Sequence, residues 1–195
     1  CNVGGGVDRR HNSLRDWLWK WLLDVCHVPC AQTEQHVPEW DKWVPAKDEH
    51  GVPKLGPQGE PVQELLCAKL DVAFRDEEGV QGYVDVAYTN ATGDGDAATT
   101  YARGSTAGKA ASEREDQKRR RYPPALHPHA EMIPFVVEAR GRVGAEVLPF
   151  LRQHAPEDST LRSAVLARAT RELSIITQRG LAALLLAAEP RPGVA

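Results

Sequence analysis

The chain has 195 residues, 42% hydrophobic and 26% charged, an ordinary globular composition with enough apolar material for one domain with its own core. This excludes the collagen-like, coiled-coil and wholly disordered classes, and the longest apolar stretches, such as residues 17–25, are too short or too charged to span a bilayer. The net charge of −3 is near neutral, so a case for nucleic-acid binding must rest on a local basic cluster. Residues 1–16 are polar and glycine-rich, with no apolar secretory segment. Four cysteines are too few for a disulfide scaffold and suit a reducing compartment. With Cys1 first and Met132 the only methionine, the expectation is a segment of a longer protein.

Leu14, Trp17, Leu18, Trp21, Leu22 and Val25 recur at the spacing of one buried helical stripe. Ser13 with Asp16 three residues on predicts a capping box at its start, and Pro29 predicts its end. Residues 1–28 thus read as an N-terminal helix. Residues 29–63 hold six of the fourteen prolines and read as a long irregular connection, with Trp40 and Trp43 pinning its middle to the surface. Residues 64–188 read as the core and C-terminal helices, and 189–195 as a tail.

Within that core, Leu66, Leu70, Val72 and Phe74 alternate with polar residues, as do Val84, Val86 and Tyr88, which predicts two strands. Asp76-Glu77-Glu78-Gly79-Val80 between them suits a hairpin loop. Residues 89–106, rich in Gly, Ala, Thr and Asp, read as a flexible loop. A helix over 105–121, a strand over 132–139 and helices over 142–154 and 159–188 follow, the last broken near Gly180. The predicted fold is α/β: a small mixed sheet with a β-hairpin core flanked by helices.

A hairpin symmetric about Glu78, with a loop of three or five residues, sets Asp71 opposite Asp85, with Cβ atoms about 4.5–5.5 Å apart. Val72 and Val84 then meet on the opposite face. Two like charges that close repel, and a divalent cation between them turns the cost into binding: Mg²⁺ takes hard oxygen ligands, often one or two carboxylates with water. The same pattern also fits two aspartates on a solvated sheet face, and a two-residue turn at Glu78-Gly79 would break the pairing. On the next helix Ala107, Ala111, Arg114, Lys118 and Arg121 share a face. Residues 103–121 carry seven Lys/Arg against three acids, a patch able to neutralise phosphates or simply a solvated helix end.

Cys26-His27-Val28-Pro29-Cys30 has the spacing of a metal clip, but no second pair lies at a matching distance. Two small residues where the helix meets the connection is the preferred reading. Cys67 reads as a small strand residue, His11 as a local cap or a phosphate contact, and His127 and His129 as exposed loop residues.

The order Arg10-His11-Asn12, Lys69-Leu70-Asp71, Asp85 after thirteen intervening residues, Glu115-Asp116-Gln117-Lys118 with Tyr122, and Phe135-Val136-Val137-Glu138 with Gly141 and Gly144 resembles a known family. It is similar to the restriction-like endonuclease domain at the C-terminal end of the reverse transcriptase polyproteins of early-branching, site-specific non-LTR retrotransposons. That domain belongs to the PD-(D/E)XK nuclease superfamily. The resemblance implies a restriction-endonuclease-like fold, nuclear localisation, and Mg²⁺- or Mn²⁺-dependent nicking of target DNA, with element RNA reached through the rest of the polyprotein.

Residue by residue, it implies Asp71 and Asp85 as catalytic acids and metal ligands, with Lys118 as the catalytic lysine on the following helix. Arg114, Arg119, Arg120 and Arg121 would grip phosphates, with His11 and Glu138 auxiliary, Glu138 as a metal ligand or as the structural partner of an arginine. Cys1 would be the remnant of an upstream zinc knuckle. The sequence departs from the superfamily pattern at Leu70, where the motif has proline, and at Ala87, two residues after Asp85, where its usual lysine would lie. A decayed copy that binds DNA without cutting it, and a non-catalytic interaction module, are the other readings.

Overall fold

A computed structural model describes residues 6–28, 30–90 and 97–188. Cys1, the helix stop at Pro29, the loop over 91–96 and the tail over 189–195 lie outside the described residues. Helix α1 (Gly6–Asp24) buries Leu14, Leu18, Trp21 and Leu22 in the main core. It begins earlier than Ser13 predicts. Ser13 is interior to it, and its hydroxyl donates to the carbonyl of Arg9 one turn back, at 2.8 Å, instead of capping. The helix ends at Asp24, the amide of Val28 returns to the carbonyl of Leu22 at 2.9 Å, and His27 turns the chain at φ 53°.

Two strands, β4 (Lys69–Arg75) and β5 (Gln81–Thr89), pair antiparallel with Val72 opposite Val84 and Arg75 opposite Gln81. The five-residue loop between them is centred on Glu78, as the polar run predicts. Asp76 stiffens it by accepting the amides of Gly79 and Val80, and Gly79 takes the positive φ the turn needs. Strand β6 (Ala130–Glu138) lies parallel to β5. A parallel neighbour requires a crossover, which α2 (Ala97–Ser105) and α3 (Lys109–Arg121) supply. The stretch read as a flexible loop therefore contains a helix. Ala107 precedes α3 and is exposed.

The stretch over 29–63 departs furthest from expectation. Strand β1 (Gln32–His36) pairs antiparallel with β4 and completes a four-stranded mixed sheet in the order β1-β4-β5-β6. Strands β2 (Lys42–Pro45) and β3 (Gln63–Leu66) form a second, two-stranded sheet. Trp40 does not sit on the surface. It is buried with Val37, Ala68, Leu70 and Tyr122, packed edge-on to Tyr83, whereas Trp43 is 69% exposed. Helix α4 (Val147–His154) starts later than predicted, because Gly141, at φ 94°, and a bridge between Val137 and Val143 occupy the preceding residues. Helix α5 (Ser159–Ala188) runs unbroken through Gly180. The missing side chain there makes room for Arg10, since a Cβ would stand 2.5 Å from its Cγ.

The fold is thus mixed α/β. One face of the sheet, carrying Val72, Phe74, Val84, Val86, Phe135 and Val137, is covered by α1, α4 and α5. On the other face, α3 lays Ala111 against Ala87 and Val136. No described helix is long and apolar enough to cross a membrane.

Candidate functional site

The site forms where α3 crosses β5. The β4–β5 pairing is regular as far as Val72–Val84, and Asp71 and Asp85 are the next residues of the two strands. The ladder is altered there by a side chain: Asp71 Oδ2 accepts the amide of Val86 at 2.7 Å. Its other oxygen, Oδ1, is 2.7 Å from Nε2 of His11. His11 is therefore not a local cap. It reaches across sixty positions of sequence from α1 to hold Asp71. From α3 the ammonium of Lys118 lies 2.6 Å from Asp85 Oδ2, with both side chains nearly excluded from solvent.

Protonation follows from these contacts. Burial works against charge on Asp71, but His11 and the Val86 amide outweigh it and hold the carboxyl below the usual aspartate range. At Asp85 burial prevails over the attraction of Lys118, and the neighbouring Asp71 adds to it, so its pKa is raised. Burial likewise pushes the ammonium of Lys118 below its ordinary value, with Asp85 opposing. The two carboxyls thus sit on opposite sides of the ordinary value. Tyr122, one turn beyond Lys118, is pushed up to about 12 by burial and by the adjacent Asp85.

A cleft of about 410 Å³ opens over the pair, walled also by His11, Lys69, Arg114 and Arg121. A second cavity of about 310 Å³, bounded by Asp85, Lys118, Arg120 and Lys42, shares that wall. Arg121 also stacks over Tyr122, 5.2 Å from the ring centre. Two predicted residues lie elsewhere. Arg119 is committed to Glu146 and Asp116. Glu138 pairs with Thr89 of β5 while Asp85 pairs with Pro134, four residues or about 13 Å along the strand. Its carboxylate faces Arg142 at 4.0 Å, the structural partnership with an arginine.

Three residues around the cleft carry no role in the sequence pattern. Lys69 stands there only as a basic residue before Asp71, and Lys42 lies in the stretch that reads as irregular. Arg10, next to His11, stacks 4.2 Å over the ring of Tyr88. Tyr122 is detectable by spacing, being four residues after Lys118 on the same helical face.

Cys26 and Cys30 do not join a ligand group among the described residues. Burial pushes the Cys26 thiol up to about 12, and Cys30 is exposed. Cys67 is not a strand residue. It is exposed at the joint between β3 and β4, within 4.8 Å of ligand atoms of His36 and Asp41. His127 is half-buried against Trp40 and Tyr83. No protein-family profile matches the chain, and no curated protein matches it significantly.

Proposed function

We propose that the chain is a metal-dependent DNA endonuclease domain with a restriction-endonuclease-like fold, of the kind carried by the polyproteins of early-branching non-LTR retrotransposons and acting in the nucleus. One observation carries this reading: Asp71 and Asp85 from the two arms of the β4–β5 hairpin and Lys118 from α3 meet in one cationic cleft. Facing carboxylates of hard oxygen, with room for water and for a phosphate between arginines, fit Mg²⁺ or Mn²⁺. When bound there, such an ion supplies polarisation of the scissile phosphate and a water of lowered pKa.

The chain's own residues do the rest. Asp71, oriented by His11 and the Val86 amide, and Asp85 would be the ligands. Lys118, whose ammonium is already below its ordinary pKa, would orient or deprotonate the attacking water at Nζ and offset charge developing on the phosphate. Arg114 and Arg121 at the cleft, and Arg120 beside it, would hold flanking phosphates and so position DNA without reading its sequence. Element RNA would be reached through the rest of the polyprotein.

Nicking of supercoiled plasmid tests this. The wild-type chain with Mg²⁺ is expected to relax plasmid, and Asp71→Asn and Lys118→Met to lose about 10²–10³-fold in rate while keeping wild-type circular dichroism. No nicking, or nicking undiminished in both folded variants, overturns the reading. Salt-sensitive DNA binding without nicking would mark the chain as a decayed, DNA-binding remnant.

A further inference from the structure

Three ligand-bearing side chains outside the cleft converge at one end of β1. His36 is the last residue of that strand, Asp41 follows the 3₁₀ turn Pro38–Trp40, and Cys67 lies in the joint between β3 and β4. Their ligand atoms all lie within 4.8 Å of one another, the one such group of three among the described residues. His36 Nε2 is 2.9 Å from Asp41 Oδ2 and 3.0 Å from Oδ1.

The backbone around these groups is pinned. The amide of Ala68, next to Cys67, donates to Asp41 Oδ1 at 2.7 Å, and the amide of Val37, next to His36, donates to the carbonyl of Ala68 at 2.9 Å. Val37, Trp40 and Ala68, the chain neighbours of the three donors, are buried in one core cluster, which anchors the backbone that carries them. Asp41 Oδ1 is already oriented by a backbone donor, the outer-shell support that metal-ligating carboxylates have.

We infer that His36, Asp41 and Cys67 form a zinc site, with three protein ligands and a fourth position open to water. The donor set selects the ion. A thiolate, an imidazole and a carboxylate together suit Zn²⁺, whereas Mg²⁺ and Ca²⁺ require oxygen alone. Binding takes the neutral imidazole and the ionised carboxylate, and displaces the thiol proton of Cys67 to solvent. His36 and Cys67 are exposed, so the ion has direct access. Bound there, it ties the end of β1 to the start of β4, the strand that carries Asp71. The inference does not depend on nuclease activity.

Cobalt(II) is the probe, because its thiolate complexes absorb by charge transfer in the near ultraviolet. The wild-type chain, stripped with a chelator and titrated with Co²⁺, is expected to develop a saturable thiolate band that Zn²⁺ displaces. Cys67→Ser should abolish the band, and Cys26→Ser and Cys30→Ser should keep it. His36→Gln should weaken Zn²⁺ binding at least tenfold in competition with a chromophoric chelator. Circular dichroism of each metal-free variant separates loss of the site from loss of fold. A band that survives Cys67→Ser, no band in the wild type, or Zn²⁺ affinity unmoved by His36→Gln in folded protein overturns the inference.

Discussion

Ala87 is the small side chain on which the position of Lys118 depends. It lies two residues after Asp85, on the same side of the sheet, and is buried against Ala111 and Val136. A lysine here, where the superfamily pattern would have one, must displace α3. The closeness that excludes it brings Lys118, two turns beyond Ala111, to Asp85. Ala87→Leu is therefore expected to cost about 1–3 kcal/mol by overpacking, read by urea unfolding. It should also separate Lys118 from Asp85, so that the amine, protected in the wild type, is acetylated by acetic anhydride and found by mass spectrometry. Wild-type stability together with continued protection of Lys118 would show that α3 does not rest on Ala87.

Helix α3 serves two neighbours, and Glu115 faces the second. Its buried carboxylate accepts the amide of Glu146, at the start of α4, at 3.3 Å. Gly144 leaves the space it occupies, since a Cβ there would stand 2.1 Å from Glu115 Oε1 and 3.2 Å from the carbonyl of Val136. Burial, more than any neighbour, raises the Glu115 pKa, with the amides of Glu146 and Ala145 opposing. The folded chain thus holds this proton more tightly than the unfolded one, and stability is lost as pH rises through the folded value, in a window above the ordinary glutamate pKa. Glu115→Gln keeps an acceptor and removes the titration. Its stability should fall less than that of the wild type between mildly acidic and neutral pH, measured by urea unfolding, and parallel curves would refute the assignment. What is legible in the sequence follows the same local logic. The β4–β5 register comes from the polar loop around Glu78, and the cationic face of α3 from helical spacing. Strand β1 is illegible because Gln32-Thr33-Glu34-Gln35-His36 is an exposed edge with no apolar alternation, held by backbone bonds. His11 and Gly180 mislead because their partners, Asp71 and Arg10, are distant in sequence.

Acidic and basic side chains are unevenly placed along the β4–β5 hairpin even though the total charge is only −3. Asp76, Glu77 and Glu78 sit at the closed end of the β4–β5 hairpin and line a cavity with Glu157. Lys69, Arg114 and Arg121 surround the cleft at its open end, about five residues or roughly 17 Å along the strands. Such an arrangement presents its positive mouth to a polyanion and turns its acidic end away, which composition alone conceals. If the cleft holds DNA, the salt dependence of binding counts the phosphates it neutralises, with a slope of about −0.9 per phosphate in a plot of log affinity against log salt. Arg114→Gln with Arg121→Gln leaves two phosphates without their cations and should make that slope shallower by about 1.8, in fluorescence anisotropy with a short duplex and no divalent ion. Glu77→Gln with Glu78→Gln should leave the slope unchanged, because those carboxylates touch no phosphate. An unchanged slope in the arginine double variant, with binding retained, would place the DNA on some other face and remove the cleft's arginines from phosphate recognition.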